Sequence, residues 1–319
     1  MFVVSGEALM DVFDAGPTAT GQRLDARVGG SPLNVAIGLA RLGQRVEFFG
    51  AVGHGFLGER LMQALHDEGV RTAAVKRPQA PTTLGLVGLD TQGVAAYDFY
   101  GEGGAERRLL LDDLLRLDAI AADTAAFHFG SYAMVVEPVG TTLRTLAQRA
   151  HGRHALVAYD VNVRLNVEPD LGRWRAVLDL MAGCTHLLKM SHEDFEALFP
   201  GRAAHEAAAQ WLACGVRAVV ITRGIEGAVA WTAAGRIDVA PVSTTLVDTV
   251  GAGDTFQAAL LTALAEAGCA SATGVAALSR EGWSAALSFA ARAAAITCSR
   301  RGADLPRRSE MGMPEGAPG

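Results

Sequence analysis

The sequence has little cysteine, and its cysteines form no pattern typical of a disulfide framework or a zinc site. The four residues, Cys184, Cys214, Cys269 and Cys298, lie far apart and without CxxC spacing. Such spacing is typical of reduced cysteines in a cytoplasmic protein. The sequence also contains no HExxH pair, which argues against a catalytic zinc site.

Long apolar runs and an excess of positive charge are missing too. No apolar segment is long enough to cross a bilayer, and the N-terminus lacks the features of a signal peptide. The net charge of −6 at pH 7 argues against nucleic acid as the main partner. We therefore expect a cytoplasmic protein that binds neither membranes nor nucleic acids. Its 319 residues can form one large α/β domain or two smaller ones.

Two common active-site motifs are absent, and a third is present in an unusual place. GxxxxGK[ST] and GxSxG do not occur, which excludes a Walker-type phosphate loop and a serine nucleophile elbow. A GxGxxG match at 53–58 lies on the second predicted strand–helix unit, and Val75-Lys76-Arg77 stands where a dinucleotide fold would have an acid. We interpret these glycines as a packing requirement. A nicotinamide-dependent dehydrogenase, the alternative from another class, would rest on this match alone.

In the second half of the chain, short apolar segments alternate with helical patterns. Strands are expected at 126–129, 155–159, 186–188 and 218–222, and helices near 138–150, 171–182, 192–199 and 202–214. This alternation predicts an α/β fold with a mainly parallel central sheet and helices on both faces.

Two regions interrupt the alternation. Segments 82–89 and 94–100 read as a hairpin, and 18–27 is polar and rich in turn residues. We expect a small β-sheet lid formed by about 12–30 and 80–108, within a single domain at 1–303. Residues 304–319 are rich in proline, glycine and charge, which predicts a flexible tail.

Polar residues follow several predicted strands. Asp11 comes after the first strand, and later strands end in Asp160-x-Asn162-x-Arg164, Lys189-Met190-Ser191 and Thr222-Arg223-Gly224. The carboxyl ends of parallel strands share one edge of a sheet, where ligands bind in α/β proteins. The sequence therefore predicts a binding site at this edge.

The stretch Gly251-Ala252-Gly253-Asp254 precedes an apolar helical run. Glycines at a helix N-terminus can form an anion hole from backbone N–H groups. Asp254 is either an N-cap or a general base beside that hole. An earlier helix is expected from Ser31, as N-cap, and Pro32, which places Asn34 near Gly29-Gly30. An anion hole, a base and a lid are the parts that phosphoryl transfer to a hydroxyl requires.

Two stretches closely resemble the signatures of the ribokinase-like (PfkB) sugar kinases. They are Gly29-Gly30-Ser31-Pro32-x-Asn34-x-Ala36 followed by Leu39-Ala40-x-Leu42-Gly43, and Asp248-Thr249-x-Gly251-Ala252-Gly253-Asp254-x-Phe256. The resemblance extends from about residue 3 to residue 303. Further segments are most similar to bacterial fructokinases: Gly6-Glu7-x-Leu9-x-Asp11, Tyr97-x-Phe99-Tyr100 before Gly104-Ala105, Asp160-x-Asn162-x-Arg164 and Lys189-x-Ser191.

The resemblance implies a ribokinase-like fold and the roles of individual residues. Asp254 would be the general base, with Gly251, Ala252 and Gly253 holding the transferring phosphate. The sugar would be bound by Asp11, Gly29, Gly30 and Asn34, with Arg164 near the sugar or its phosphate. ATP would be bound by Ser191, Thr222, Gly224 and Gly227, together with Gly251 and Gly253.

The resemblance also implies ATP with Mg²⁺, and a monovalent cation such as K⁺. The cation would be held by the Asp248 side chain and by backbone carbonyls of Val250, Thr297, Arg300 and Gly302. Asp194 stands near the position of an Asn-x-x-Glu motif that places Mg²⁺ in ribokinases, and its metal role stays open. The resemblance also implies a homodimer formed through the lid.

The expected reaction is the phosphorylation of fructose to fructose 6-phosphate. A 2-keto-3-deoxygluconate kinase, or another ketose or nucleoside kinase, is the alternative within the family.

Overall fold

The computed structural model describes residues 1–89, 95–118 and 124–313. The predicted hairpin turn at 90–93 lies outside the described residues. The strands are β1 (Phe2–Ser5), β2 (Leu9–Pro17), β3 (Gln22–Gly29), β4 (Val46–Phe49), β5 (Leu84–Leu89), β6 (Ala95–Tyr100), β7 (Ala126–Gly130), β8 (Leu156–Asp160), β9 (Leu187–Ser191), β10 (Ala218–Thr222), β11 (Ala228–Thr232) and β12 (Gly235–Val239). The helices are α1 (Ser31–Arg41), α2 (Phe56–Asp67), α3 (Leu115–Asp118), α4 (Val139–Gly152), α5 (Leu171–Ala182), α6 (His192–Leu198), α7 (Ala204–Ala213), α8 (Ala252–Glu266), α9 (Ala272–Ala277) and α10 (Arg280–Cys298).

The main sheet has the strand order β12-β11-β10-β9-β8-β7-β1-β4. The strands from β10 to β4 are parallel, and β11 and β12 add an antiparallel hairpin at one edge. The mainly parallel sheet predicted from the alternation is therefore confirmed. All the later strands and helices expected from the sequence are present, with ends that differ by at most three residues.

Helices cover both faces of this sheet, as predicted. Successive residues of β1 show the division, because Val3 belongs to one core cluster and Val4 to the other. The cluster around Val3 includes residues of α4, α5, α6 and α7, and the cluster around Val4 includes residues of α1, α2, α8 and α10. The strands are apolar on both faces because neither face meets water.

The lid is a separate four-stranded sheet with the order β3-β2-β5-β6. The strand β2 pairs antiparallel with β3 and parallel with β5, and β6 completes the second hairpin. The lid begins earlier than predicted, because β2 starts at Leu9. Asp11 consequently lies on a lid strand, which corrects its expected place at the end of the first strand of the main sheet.

Close packing explains Gly53 and Gly58 of the GxGxxG match, whereas a Cβ on Gly55 would have nothing within 4 Å. A Cβ on Gly58 would lie 2.0 Å from the carbonyl oxygen of Gly53, and a Cβ on Gly53 would lie 2.3 Å from that of Ala80. Any side chain at either position would overlap backbone atoms. The packing interpretation accounts for both glycines without a dinucleotide.

The end of the chain differs from the predicted flexible tail as far as Met313. Leu305 is 1% exposed and packs against Gly38 of α1, where an added Cβ would be 2.4 Å from the leucine side chain. Arg308 forms an ion pair with Glu266, and Met311 is buried. Proline, glycine and charged residues dominate this segment, so its composition predicts flexibility. Two apolar residues, Leu305 and Met311, are nevertheless enough to fix it against the core. Residues 314–319 lie outside the described residues.

One further boundary differs from the sequence interpretation, which predicts an Ala-rich helical segment at 275–298 with a break at Gly282. The Ala-rich segment near the end breaks before α10, at Leu278 and Ser279, and not at Gly282. The cause is an N-cap, since Ser279 Oγ accepts a hydrogen bond from the Gly282 backbone N–H at 3.2 Å.

Within the described ranges, no helix is both long and apolar enough to span a membrane.

Candidate active site

A cleft of about 700 Å³ lies where the carboxyl ends of the main-sheet strands, the lid and the start of α8 meet. It is lined by Glu7, Leu9, Asp11, Gly30, Ser31, Asn34, Phe99, Ser131, Tyr132, Asn162, Val163, Arg164, Leu165, Asn166, Glu193, Thr249, Val250, Gly251, Gly253 and Asp254. Five of the residues predicted at the acceptor and base positions are among them: Asp11, Gly30, Asn34, Arg164 and Asp254.

Asp254 lies in the first turn of α8 and is only 8% exposed. Ser31 Oγ donates a hydrogen bond of 2.6 Å to its Oδ1, and Asn34 Nδ2 donates one of 2.9 Å to its Oδ2. The N-cap of α8 is Gly251, so the N-cap interpretation of Asp254 is wrong. Its carboxylate faces the cleft and is oriented by two side chains of α1.

Ser31 has a different role from the predicted one. The N-cap of α1 is Gly30, which has a φ of 106°, and Ser31 is the first residue of the helix. A Cβ on Gly30 would lie 2.7 Å from the Glu7 carbonyl oxygen, so only glycine fits there. Because Gly30 is the N-cap, the Ser31 hydroxyl is not needed to cap the helix and binds Asp254 instead.

The predicted anion hole lies at the start of α8. Gly251 has a φ of 76°, and a Cβ there would lie 2.5 Å from the Ala303 side chain. Gly251 and Gly253 line the cleft, beside the partial positive charge of the helix N-terminus. Ala252 is outside the lining residues, and its N–H donates to the Thr249 carbonyl at 3.2 Å.

A buried ion pair lies beneath this helix start. Lys189 Nζ is 2.6 Å from Asp160 Oδ2, and both side chains are almost completely buried. A Cβ on Gly253 would lie 3.4 Å from the same Nζ, which places the ammonium group close under the anion hole. Burial raises the pKa of Asp160 to about 6, although Lys189 opposes that rise. Lys189 was not assigned a role from the sequence.

The lid contributes Asp11 to the acceptor side of the cleft. Its carboxylate fits between two glycines, since a Cβ on Gly29 would be 2.2 Å from Oδ2 and one on Gly85 would be 3.1 Å from Oδ1. Gly29 therefore supports Asp11 and is not itself a lining residue. Burial raises the pKa of Asp11 to about 6, with Arg164 lowering it and Asp254 raising it.

Arg164 follows β8 and lines the cleft, where its Nη1 donates to the Val163 carbonyl at 2.9 Å. On the lid, Phe99 lines the cleft and packs edge-on against Tyr132 at 6.1 Å between ring centroids. Tyr100 is 64% exposed, and the side chain of Tyr97 lies outside the described part of the chain.

Several lining residues were not assigned a role from the sequence. Glu7, Ser131 and Tyr132 are buried polar residues in the loops after β1 and β7. Ser131 and Asn162 have positive φ values of 61° and 44°, which are uncommon for residues other than glycine. A polar residue directly after each strand was the only available signal, and it is common to many turns.

The residues predicted to bind ATP lie further along the same sheet edge. Ser191 and Thr222 are paired at the ends of β9 and β10, and Gly224 and Gly227 follow. A Cβ on Gly227 would lie 2.1 Å from the Val239 carbonyl oxygen, so this glycine is required by the adjacent hairpin. None of the four is a lining residue of the cleft, whereas Glu193 is.

Asp194 has a structural role at the start of α6. Its Oδ1 accepts from the Val163 N–H at 3.0 Å, and its Oδ2 accepts from the Ser191 N–H at 3.2 Å. Ser191 in turn accepts from the Asp194 N–H, which completes a capping box. The two oxygens of Asp194 therefore hold the start of α6 against the chain that follows β8.

The predicted cation residues lie on two segments that Asp248 connects. Asp248 Oδ1 accepts from the Val250 N–H at 3.0 Å, and Oδ2 accepts from the Gly302 N–H at 2.8 Å. Thr297 and Arg300 lie on the second segment, where the Thr297 carbonyl accepts from the Arg300 N–H at 2.9 Å. The structure therefore brings a carboxylate and carbonyl-bearing turns together beside the anion hole, which fits a monovalent cation.

Comparison with known proteins agrees with this geometry. The model of the pfkB family carbohydrate kinases matches residues 1–310. A fructokinase from Rhizobium leguminosarum bv. trifolii is 35% identical over 265 residues, which are 83% of this chain and 79% of that protein.

Two solved structures have the same fold. A fructokinase with bound ATP from Xylella fastidiosa has a TM-score of 0.88 at 26% identity and covers 97% of this chain and 96% of its own. An aminoimidazole riboside kinase from Salmonella enterica, at 22% identity, has a TM-score of 0.80 and covers 98% of both chains. This chain belongs to the pfkB family of carbohydrate kinases.

Proposed function

We propose that the protein transfers the γ-phosphoryl group of ATP to the primary hydroxyl of fructose, which yields ADP and fructose 6-phosphate. The observation that carries this proposal is the position of Asp254, whose two oxygens are held 2.6 and 2.9 Å from Ser31 and Asn34 beside a glycine-lined helix N-terminus. The name fructokinase on the Rhizobium and Xylella relatives supports fructose as the acceptor. The riboside kinase has the same fold, so the fold alone does not select the acceptor.

In the proposed reaction, Asp254 accepts the proton of the sugar hydroxyl as that oxygen attacks the γ-phosphorus. The N–H groups at the start of α8, and the Lys189 ammonium beneath them, stabilise the negative charge on the transferring group. Asp11, Asn34 and Arg164 orient the sugar, and Gly29 and Gly30 allow the lid and α1 to approach it. Closure of the lid would exclude water from the reacting atoms.

ATP would extend from the anion hole towards the ends of β9 and β10, where Ser191, Thr222, Gly224 and Gly227 lie. Mg²⁺ would enter with the ATP phosphates and neutralise their charge. Asp194 is not assigned to the metal site in this proposal, and its capping box stabilises the start of α6.

The Asp248 region is the proposed site of a K⁺ ion, which would add positive charge next to the anion hole. The side chain of Asp248 and the carbonyls of Val250, Thr297, Arg300 and Gly302 would hold it. Activity should therefore be higher in K⁺ than in tetramethylammonium at equal ionic strength. An Asp248→Asn variant should lose most of this difference, and equal rates of the unmodified protein in both salts would contradict the proposal.

The decisive assay measures ADP release from Mg-ATP, with K⁺ present, across fructose, ribose, tagatose, glucose, 2-keto-3-deoxygluconate and adenosine. We expect turnover with fructose at a kcat/KM well above that of every other acceptor. Asp254→Asn should lower kcat by about a thousandfold or more while fructose and ATP still bind. Preferred turnover of another acceptor would correct the sugar and leave the mechanism intact. Unchanged turnover in Asp254→Asn would overturn the mechanism.

Homodimerisation through the lid is also part of the proposal. Leu24 on β3 and Tyr100 on β6 are exposed, at 54% and 64%, on the two edge strands of the lid sheet. Sedimentation should give the mass of a dimer at micromolar concentration, and a Leu24→Asp, Tyr100→Asp double variant should sediment as a monomer. A monomeric unmodified protein would contradict the proposal.

The cytoplasmic location stays a prediction, in keeping with the proposed use of ATP.

A further inference from the structure

Glu7 is a buried acid in the cleft to which neither the signatures nor the proposed mechanism gives a role. It is 1% exposed and lines the cleft, and its Oε2 has no hydrogen-bond partner within the described residues. A buried carboxylate oxygen without a partner is costly unless a ligand or water binds it. Because Glu7 lines the cleft and its carboxyl group interacts with the charges of Arg164 and Asp254, a ligand hydroxyl is a suitable partner for this oxygen.

The backbone of Glu7 is fixed by the same helix that orients the base. The preceding residue, Gly6, has a φ of 149°, and a Cβ there would lie 2.3 Å from the Pro32 ring. The Glu7 carbonyl oxygen in turn lies where a Cβ on Gly30 would be 2.7 Å away. Glu7 is therefore held against the first turn of α1, where Ser31 and Asn34 bind Asp254 and line the cleft.

The charges around Glu7 make this part of the cleft acidic. The carboxyl groups of Asp11 and Asp254 line the same cleft, and Arg164 is the guanidinium that faces them. Burial raises the pKa of Glu7 to about 7, with Ser131 and Arg164 lowering it and Asp254 raising it. The cleft is lined by the four carboxyl groups of Glu7, Asp11, Glu193 and Asp254 and by one guanidinium, which favours a neutral ligand with several hydroxyl donors. A second negative charge in this space would meet repulsion from at least two carboxylates.

We propose that Glu7 is a specificity residue of the acceptor site, which accepts hydrogen bonds from the hydroxyls of a neutral sugar and repels the carboxylate of a sugar acid. This inference rests on the proposed function and deepens it. It separates fructose from 2-keto-3-deoxygluconate, which is an anion at neutral pH. The discrimination is a difference in kcat/KM, because the hydroxyl contacts are gained by one acceptor and the repulsion is felt by the other.

The test compares Glu7→Gln, Glu7→Asp and the unmodified protein with fructose and with 2-keto-3-deoxygluconate. At pH 8, where Glu7 is mostly ionised, we expect KM for fructose to rise about tenfold or more in Glu7→Gln, because a hydrogen bond to a charged group is lost. The ratio of kcat/KM for fructose to that for the acid should fall by a similar factor, while the Kd of ATP is unchanged. Glu7→Asp keeps the charge on a shorter side chain. It should therefore weaken the binding of fructose but still disfavour 2-keto-3-deoxygluconate.

Glu106→Gln is the matched control. Glu106 is also 1% exposed, and its Oε1 is paired with Arg107 Nε at 3.5 Å, but it is not a lining residue of the cleft. Its substitution should leave the fructose-to-acid ratio unchanged. If Glu7→Gln behaves like Glu106→Gln, the inference is wrong, although the unmodified protein still phosphorylates fructose. If the unmodified protein turns over neither substrate, the proposed function is wrong. A Glu7→Gln variant that binds ATP normally shows that folding is not the cause of any loss.

Discussion

Asn34 and Asp254 lie 220 positions apart in the sequence, and a hydrogen bond of 2.9 Å joins Asn34 Nδ2 to Asp254 Oδ2. Ser31, one turn earlier on α1, holds the other carboxylate oxygen at 2.6 Å. The two glycine-containing signatures are thus the two halves of one site. The first orients the base that the second supplies, and it does so with side chains that the sequence analysis had placed near the sugar or at a helix cap.

Ser31→Ala should lower kcat by about tenfold, because one oxygen of the base loses the donor that orients it. The KM for ATP should stay within about twofold, since Ser31 is on the acceptor side of the cleft. Steady-state kinetics with fructose and ATP varied in turn would measure both quantities. Ser309→Ala, on an exposed turn near the end of the chain, is the control and should match the unmodified protein. If kcat of Ser31→Ala also matched it, the hydrogen bond to Asp254 would have no catalytic role.

The fold could be predicted largely from the sequence because its signals are local. Helix α5 and strand β10 have the predicted bounds, since each combines a clear apolar pattern with turn or capping residues at its ends. The lid could be predicted because two hairpin segments without helices break the alternation. The edge of the sheet that carries the site followed from the parallel arrangement itself.

The remaining features depend on contacts that are distant in sequence. No local pattern indicates that Ser31 binds Asp254, or that Lys189 lies beneath Gly253. The place of Asp11 on the lid depends on how the chain leaves β1, and a single short strand does not determine that. Leu305 and Met311 anchor the end of the chain because α1 and α8 offer an apolar surface, which is visible only after folding.

Replacing Glu7 should stabilise the protein at high pH. The folded-state pKa of Glu7 is raised from 4.5 to about 7, so the folded state binds this proton more tightly than the unfolded chain does. Stability from that proton is fully present below pH 4.5 and is lost as the pH rises through about 7. Glu7→Gln avoids the loss because its side chain does not ionise.

The free energy of unfolding of Glu7→Gln, relative to the unmodified protein, should therefore increase by about 2 to 3 kcal/mol between pH 5 and pH 8. Urea unfolding at several pH values would measure this difference. Glu102→Gln, at an exposed position, should show no such trend. A difference that is independent of pH would mean that the environment of Glu7 does not disfavour its charge.

Lys189→Met should destabilise the protein by about 3 to 5 kcal/mol, because Asp160 would be left buried without its partner. The double variant Lys189→Met, Asp160→Asn removes both charges and should recover most of that loss. Urea unfolding of the single and double variants would separate the two effects. A stable single variant would mean that Asp160 does not depend on the ion pair.

The same double variant tests the electrostatic role of Lys189. If the ammonium under Gly253 stabilises the transferring phosphate, kcat should stay at least about tenfold below normal even where stability has recovered. Normal kcat in the double variant would assign Lys189 a structural role only. Asp160→Asn alone keeps the lysine and should retain most of the activity.

Gly251→Ala should damage both folding and turnover, and Gly201→Ala separates the two causes. Both glycines have a positive φ, of 76° and 73°, but a Cβ on Gly251 would lie 2.5 Å from the Ala303 side chain, whereas Gly201 has nothing within 4 Å. Gly201→Ala should therefore cost about 1 to 2 kcal/mol, the price of the left-handed backbone alone. Gly251→Ala should cost more and should lower kcat by about a hundredfold or more, because the clash displaces the start of α8 and its N–H groups. Thermal unfolding and kinetics of both variants measure this, and equal losses of stability would show that the approach of Ala303 to Gly251 does not constrain the anion hole.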